Sequence, residues 1–196
     1  STTVPGTNIA SGSAIVIDTT VPTITSFTST TNNGSYKSAG TVNITATASE
    51  AVVADNTITA TLDTSDNVTL TAADNGTTLV GTYTVGAGDN SNDLTVSSFS
   101  IGTVTDIAGN AMASTTVPGT NIASGSAIVI DTTAPTVRSV AITDGVGDQY
   151  NFLNATDVVS VTVTFSENVL VENTPQLTLA VGDDNHTADY TSSGSG

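Results

Sequence analysis

The groups with the clearest chemistry in this sequence are carboxylates. Eighteen of the 196 residues are Asp or Glu, and glutamate occurs only at positions 50, 167 and 172. Aspartates stand beside Asn and Gly in turn-forming stretches such as Gly86–Asp93 (GAGDNSND). Because Ca²⁺ prefers oxygen ligands on flexible loops, this composition favours Ca²⁺ as a bound ion. The alternative is that scattered aspartates only keep a β-protein soluble and monomeric.

Catalytic chemistry has little support in the sequence. His186 is the only histidine and the chain has no cysteine, so a zinc site or a nucleophile triad lacks its usual residues. Asp183 and Asp184 form the kind of carboxylate pair that glycoside hydrolysis uses, but the chain has no Trp and only 4% aromatic residues to hold a sugar. We therefore predict that the protein is not an enzyme and has no catalytic residue, and that His186 lies in a surface turn.

The charge of the chain is one-sided. Lys37 and Arg138 are the only basic residues, and the net charge is −16. Binding of nucleic acid needs clustered Lys and Arg, so nucleic acid is excluded as a partner and anionic membrane surfaces are disfavoured. No apolar run has the length of a membrane span, and direct membrane insertion is not expected. Without cysteine, stability must come from packing, metal ions or assembly.

An internal repeat organises the chain. Ser1–Thr23 and Ser114–Thr136 share the sequence STTVPGTNIASGSAIVIDTT and the following Pro-Thr, and differ only at Val21 against Ala134. The two copies are 113 residues apart, which is about the length of one β-sandwich domain. A faithful copy at this spacing indicates a tandem array. We expect Ile9–Asp18 to be the closing strand of a preceding repeat.

The rest of the chain has the pattern of short strands. Hydrophobic residues alternate with Thr, Ser and Asn, and no helical period appears. Turn signals at Asn32-Asn33-Gly34 and Asp74-Asn75-Gly76 separate the strands, and the second of them predicts a hairpin. We predict strands at Thr23–Ser29, Thr41–Ser49, Thr57–Leu62, Val68–Ala72, Thr78–Val85, Leu94–Ile101 and Ala127–Ile130, and then at Thr136–Ile142, Val158–Ser166 and Gln176–Val181. This spacing predicts an all-β fold of tandem immunoglobulin-like β-sandwich domains with Greek-key connections.

Three segments follow from the repeat. We expect residues 1–18 to be the closing strand of a preceding repeat, residues 19–131 a complete Ig-like domain, and residues 132–196 the N-terminal half of a second one. Counterparts of Thr78–Val85, Leu94–Ile101 and Ala127–Ile130 are missing from that second domain. A half-sandwich exposes its core and unpaired backbone groups. Either the chain is a fragment of a longer array, or another copy supplies the missing strands.

Four motifs resemble those of a known family. They are Ile130–Thr136 (IDTTAPT), the strand Val161–Phe165 running into Ser166–Val169 (SENV), Tyr83–Asp89 (YTVGAGD) and Thr105–Asn110 (TDIAGN). Together they resemble bacterial Ig-like domains of giant repetitive surface adhesins, including the extender regions of RTX-type adhesins. The resemblance covers essentially the whole chain. It implies a stiff rod of modules between a cell anchor and a ligand-binding tip, with Ca²⁺ near the domain junctions restricting bending.

The resemblance also implies metal ligands. They are the aspartates of the two seams (Asp18, Asp131), the glutamates after the long strands (Glu50, Glu167) and the aspartate of the DIAGN loop (Asp106). A Gly-rich turn in the second domain adds Asp144 and Asp148, where the first domain has no carboxylate. Crowded carboxylates repel one another until a divalent cation neutralises them. We expect the junction of Asp131, Asp144, Asp148 and Glu167 to bind Ca²⁺ more tightly than that of Asp18 and Glu50, the alternative being that these acids only cap turns.

The expected function is mechanical. The protein is predicted to be an extender repeat of a secreted or cell-surface bacterial adhesin, with neighbouring repeats as partners and its tip ligand outside this chain. The alternative is a subunit of a self-assembling extracellular filament or surface layer. Identical subunits would then be joined by β-strand complementation, with Ile9–Asp18 filling a neighbour's groove. A carbohydrate-binding module would need an exposed aromatic face, and the four Tyr and four Phe are dispersed.

Overall fold

The structure is a computed structural model that describes residues 15–146, 154 and 156–191, apart from the side chains of Asp144 and Val146. The chain divides into two compact units, unit 1 from Ser1 to Thr133 and unit 2 from Ala134 to Gly196. The division lies two residues beyond the predicted boundary after Asp131. Within the described residues, no helix is long and apolar enough to cross a membrane.

Unit 1 is built from strands in two sheets. Its strands are β1 Ile24–Thr28, β2 Gly34–Tyr36, β3 Thr41–Ala48, β4 Thr57–Leu62, β5 Asn67–Ala72, β6 Thr78–Thr84, β7 Asn90–Ser91, β8 Val96–Thr103 and β9 Ile128–Asp131, with a 3₁₀ turn at Ile122–Ser124. One sheet has the order β1-β3-β6-β5-β4-β8 and the other β2-β9-β7. Neighbours pair antiparallel except β2 and β9, which are parallel. This all-β arrangement is consistent with a β-sandwich.

The core of unit 1 follows from strand alternation. In β3, Val42, Ile44 and the two alanines are buried while Thr and Asn point outward. Residues of both sheets join one buried cluster, since Ile128 and Ile130 of β9 belong to it together with the β3 side chains. Each fully buried Val or Ile stabilises the fold by about 1.5–3 kcal/mol relative to the exposed state. Most members of this cluster are Val, Ile, Leu and Ala, and Phe27 and Phe99 contribute two of its few aromatic rings.

Most predicted strands of unit 1 are confirmed within one or two residues, and the hairpin at Asp74–Gly76 is the β5–β6 pair. The strands β2 and β7 were not predicted, because Gly34 was assigned to a turn and Asn90–Ser91 to the loop Gly86–Asp93. They have three and two residues, too few to show alternation. Their pairing depends on β9, which lies far along the chain.

The two copies of the repeated seam differ in structure. In the second copy, Ile122, Ile128 and Ile130 are buried and β9 pairs with β2 and β7. In the first copy, Ile15, Val16 and Ile17 are 68%, 85% and 85% exposed and form no strand. The reason is that no described strand pairs with these residues. The rest of the predicted strand, residues 9–14, lies outside the described residues.

Unit 2 contains two hairpins. Its strands are β10 Val137–Val146, β11 Val158–Phe165, β12 Gln176–Val181 and β13 Asp184–Asp189, paired as β10–β11 and β12–β13. The predicted turn at Asp144 was wrong, because β10 continues through it with Asp144 opposite Ser160. The predicted surface turn at His186 was also wrong, since His186 lies on β13 opposite Leu179. The turn is Gly182-Asp183, and Gly182 has the positive φ of 63° that such a tight hairpin needs.

The first hairpin of unit 2 repeats the first strand pair of unit 1. Thr23 and Ser49 exchange two hydrogen bonds: Thr23 N–H donates to Ser49 Oγ at 3.0 Å, and Ser49 N–H donates to the Thr23 carbonyl at 2.8 Å. Thr136 and Ser166 exchange the same bonds at 2.9 and 2.8 Å. Both pairs also show a register shift after their first residue pair. The duplication is therefore structural, although none of the described residues of unit 2 is buried.

Candidate metal centre

Three predicted ligands of unit 1 come together. Asp18, Glu50 and Asp106 each offer a carboxylate oxygen, and the three oxygens lie within 4.8 Å of one another. Asp18 precedes β1, Glu50 follows β3 and Asp106 follows β8. The chain after β3 crosses to the loop after β8, where Val53 N–H donates to the Thr105 carbonyl at 3.0 Å. This crossing brings two strands that are distant in sheet order to one site.

Asp106 is the most deeply placed of the three, with 2% of its surface exposed. Asn110 donates to its carboxylate twice, from the backbone N–H to Oδ1 at 2.7 Å and from Nδ2 to Oδ2 at 2.8 Å. Burial by itself would raise the pKa of Asp106, but the Asn110 side chain and the N–H groups of Asn110, Gly109 and Ala108 outweigh it and lower the pKa. Asp106 is therefore held as an oriented carboxylate.

Glu50 lacks such partners. Its Oε1 atom is buried and has no hydrogen-bond partner among the described residues. Burial, followed by the charges of Asp18 and Asp106, raises the pKa of Glu50. A buried carboxylate oxygen without a partner is unfavourable. A cation between the three carboxylates would give the Glu50 oxygen a partner and would neutralise the repulsion of Glu50 by Asp18 and Asp106.

Asp18 is exposed and lies in the segment that leads into β1. Its Oδ1 accepts a hydrogen bond from Thr20 N–H at 3.0 Å, and its backbone carbonyl accepts one from Asn110 Nδ2 at 3.1 Å. Asp131, the matching seam residue, accepts the same bond from Thr133 N–H at 3.0 Å. Both aspartates therefore cap turns, as the alternative interpretation expected, and Asp18 belongs to the acidic triad as well.

The donor set of the triad selects the class of ion. It consists of carboxylate oxygens without His or Cys, which suits hard cations rather than zinc or copper. Ca²⁺ takes six to eight oxygens at flexible geometry, so three carboxylates would be completed by carbonyls or water. The arrangement can therefore hold a hard divalent cation.

The other predicted ligands belong to different elements of the chain. Asp131 ends β9 in unit 1, and Glu167 follows β11 in unit 2. The Glu167 Oε1 atom is buried without a hydrogen-bond partner among the described residues, as in Glu50. Asp144 lies on β10, and Asp148 lies outside the described residues. Tighter Ca²⁺ binding by these four residues stays a prediction.

Asn110 is a contact residue that sequence analysis missed. It belongs to the motif Thr105–Asn110, in which Asp106 alone was predicted as a ligand. Its position four residues after Asp106 was the available signal, because an amide there faces back to the carboxylate across a tight loop. Gly109, with a φ of 93°, makes that loop possible.

A second acidic cluster lies at the opposite end of unit 1, beside the start of β3. Asp89 Oδ2 accepts hydrogen bonds from Tyr83 Oη and from Gly86 N–H, the latter at 2.6 Å. The Tyr83 bond, chiefly, lowers the pKa of Asp89, whereas a hydrogen bond with Asp89 raises the pKa of Asp66. Opposite shifts are typical of two carboxyl groups that share a proton. Internal hydrogen bonds therefore already satisfy this cluster.

Comparison of the chain with protein families, with curated proteins and with solved structures finds no match.

Proposed function

We propose that this protein is a structural repeat of a secreted or cell-surface bacterial adhesin, built from Ig-like Greek-key domains and stiffened by Ca²⁺. The meeting of Asp18, Glu50 and Asp106 carries the proposal. Asp18 lies in the segment of unit 1 that precedes β1, whereas Glu50 and Asp106 lie on loops of the sandwich. A cation bound by all three fixes that segment to the sandwich and limits its bending.

The repeat supports a mechanical role. The seam recurs after 113 residues with one difference, and the first strand pair of each unit has the same hydrogen bonds. Modules of this kind contact only their neighbours, so that many copies give length. If bending at the joints is limited, such an array stays extended. The partners are neighbouring repeats, and the binding tip lies elsewhere in the adhesin.

Calcium titration with thermal melting tests the proposal. Ca²⁺ at a hundred times its Kd stabilises the folded state by about 2.7 kcal/mol, which raises the Tm of a domain of this size by roughly 10 °C. The Glu50→Gln variant should lose this shift because one of three carboxylates is removed. Without metal, the same variant should melt at or above the wild-type Tm at neutral pH, since the repulsion on Glu50 is relieved.

Glu172→Gln is the matched control, because Glu172 is exposed and outside the triad. It should keep the full calcium shift. Equal melting of the wild-type protein in Ca²⁺ and in excess chelator would refute the metal site. A shift of the same size in Glu50→Gln would place the ion elsewhere.

A second candidate function is the subunit of an extracellular filament. It is favoured by two exposed apolar features, Ile15–Ile17 in the first seam copy and the sheets of unit 2, where Val137, Val140 and Ile142 are exposed. Exposed apolar strands are open to pairing with another chain. In this alternative the first seam copy of one subunit completes a sheet of the next.

A further inference from the structure

We propose that Asn110 is the positioning residue of the calcium site, because one side-chain amide holds both Asp18 and Asp106. The inference rests on the proposed function, since it assigns the residue that arranges the same site. Nδ2 of Asn110 donates to Asp106 Oδ2 at 2.8 Å and to the Asp18 carbonyl at 3.1 Å. These two contacts link the segment before β1 to the loop after β8.

The link joins distant parts of the chain. Asn110 and Asp18 are 92 residues apart, and Asp18 is exposed and lies outside any strand. Its carboxylate bond to Thr20 is local, since the donor lies only two positions further along the chain, and does not tie the segment to the sandwich. The Asn110 amide does so at the site itself. It therefore decides whether Asp18 stands near the other two carboxylates before a cation arrives.

The amide group suits this role better than any charged donor. A primary amide carries two N–H donors on one nitrogen and no charge, so it can serve two acceptors without neutralising either. A Lys or Arg in the same place would pair with the carboxylates and compete with the cation. The backbone N–H of Asn110, which donates to Asp106 Oδ1 at 2.7 Å, adds a third contact and fixes the direction of the Asp106 side chain.

Calorimetric titration of Ca²⁺ into wild-type protein and Asn110→Ala tests the inference. The Kd of Asn110→Ala should be weaker by about tenfold or more, as for other residues that orient metal ligands. Asn121→Ala is the control, because the Asn121 side chain clamps Val96 at 2.9 and 3.0 Å and takes no part in the triad. It should lower the Tm and leave the Kd within twofold of wild type.

A double-mutant cycle with Asp18→Asn separates positioning from a general loss of stability. If Asn110 acts through Asp18, the two substitutions together should weaken Ca²⁺ binding less than the product of their single effects. Asn110→Ser also lacks the amide, and both variants keep the backbone N–H. The serine variant should weaken binding as Asn110→Ala does, and it replaces the alanine variant if that one does not fold.

The outcomes distinguish this inference from the proposed function. A wild-type protein that binds no Ca²⁺ overturns the proposed function and the inference with it. Wild-type binding with an unchanged Kd in Asn110→Ala and Asn110→Ser, or with strictly multiplicative effects in the cycle, overturns the inference alone.

Discussion

At the scale of single residues, the carboxylates of unit 1 carry the same charge but differ in their hydrogen-bond partners. Asp106 is held ionised by the hydrogen bonds of Asn110 and its loop, whereas Glu50 keeps a buried oxygen without a partner among the described residues. Asp89 at the other end of unit 1 is satisfied by Tyr83 and Gly86. The buried Glu50 oxygen without a hydrogen-bond partner therefore separates the candidate ligand site from the structural cluster.

Tyr83→Phe should destabilise unit 1 by about 1–2 kcal/mol at neutral pH, because the Asp89 carboxylate loses the hydrogen bond of a buried donor. The pKa of Asp89 is lowered in the folded state, so its contribution to stability is present above the ordinary pKa of aspartate and is lost as the pH falls through the folded value. The difference between variant and wild type should therefore shrink below about pH 4. Urea denaturation at neutral and acidic pH measures this.

Tyr36→Phe provides a control with a neutral acceptor, since Tyr36 Oη donates to the Asn32 carbonyl at 2.7 Å. Its effect on the free energy of unfolding should not depend on pH over the same range. A Tyr83→Phe effect that is equally constant would contradict the assignment of Asp89 as the charged acceptor.

At the scale of elements, one sequence has two structural states. The run IVID is the buried strand β9 at Ile128–Asp131 and an exposed, unpaired segment at Ile15–Asp18. Both copies have the same local propensity, so pairing with β2 and β7 decides between the two states. Strand formation here is a property of the partners.

The pair Ile128→Ala and Ile15→Ala measures this effect within a single local sequence. Ile128→Ala should cost about 2–5 kcal/mol, because it leaves a cavity in the core of unit 1. Ile15→Ala should change the free energy of unfolding by less than about 0.5 kcal/mol, since Ile15 is 68% exposed. Equal losses in urea denaturation would show that the first copy is packed in solution.

At the scale of the whole molecule, the two units differ in burial. Unit 1 has one continuous core, whereas every described residue of unit 2 is exposed or half-buried. Isolated two-stranded hairpins are marginally stable in water, so the sheets of unit 2 need further cover. In the proposed rod, repeats of the same array would cover these sheets. In the filament, another subunit would cover them.

Sedimentation velocity over a range of protein concentrations, with Ca²⁺ present, separates the two. The proposed rod segment should sediment as a monomer, because the seam of one chain has no role in another. The double variant Ile15→Asp, Ile17→Asp should then behave as the wild type does. Polymers that grow with concentration and disappear in the double variant would favour the filament.

The sequence by itself determined the all-β class, the boundaries of most strands and the repeat. Alternation of apolar and polar residues sets which face of a strand is buried, and two identical copies need no structure to be recognised. It also pointed to Asp18, Glu50 and Asp106, although only through resemblance to a family. Short local patterns were sufficient for the strands, because the alternation that defines a strand lies among neighbours in sequence.

Only the tertiary structure decided which parts of those patterns are used. It brought three carboxylates from the segment before β1 and the loops after β3 and β8 within 4.8 Å of one another, and it placed the Asn110 amide against the Asp106 carboxylate and the backbone carbonyl of Asp18. It also made strands of Gly34–Tyr36 and Asn90–Ser91 by pairing them with β9. These features depend on contacts between residues far apart in the chain, which local composition does not encode.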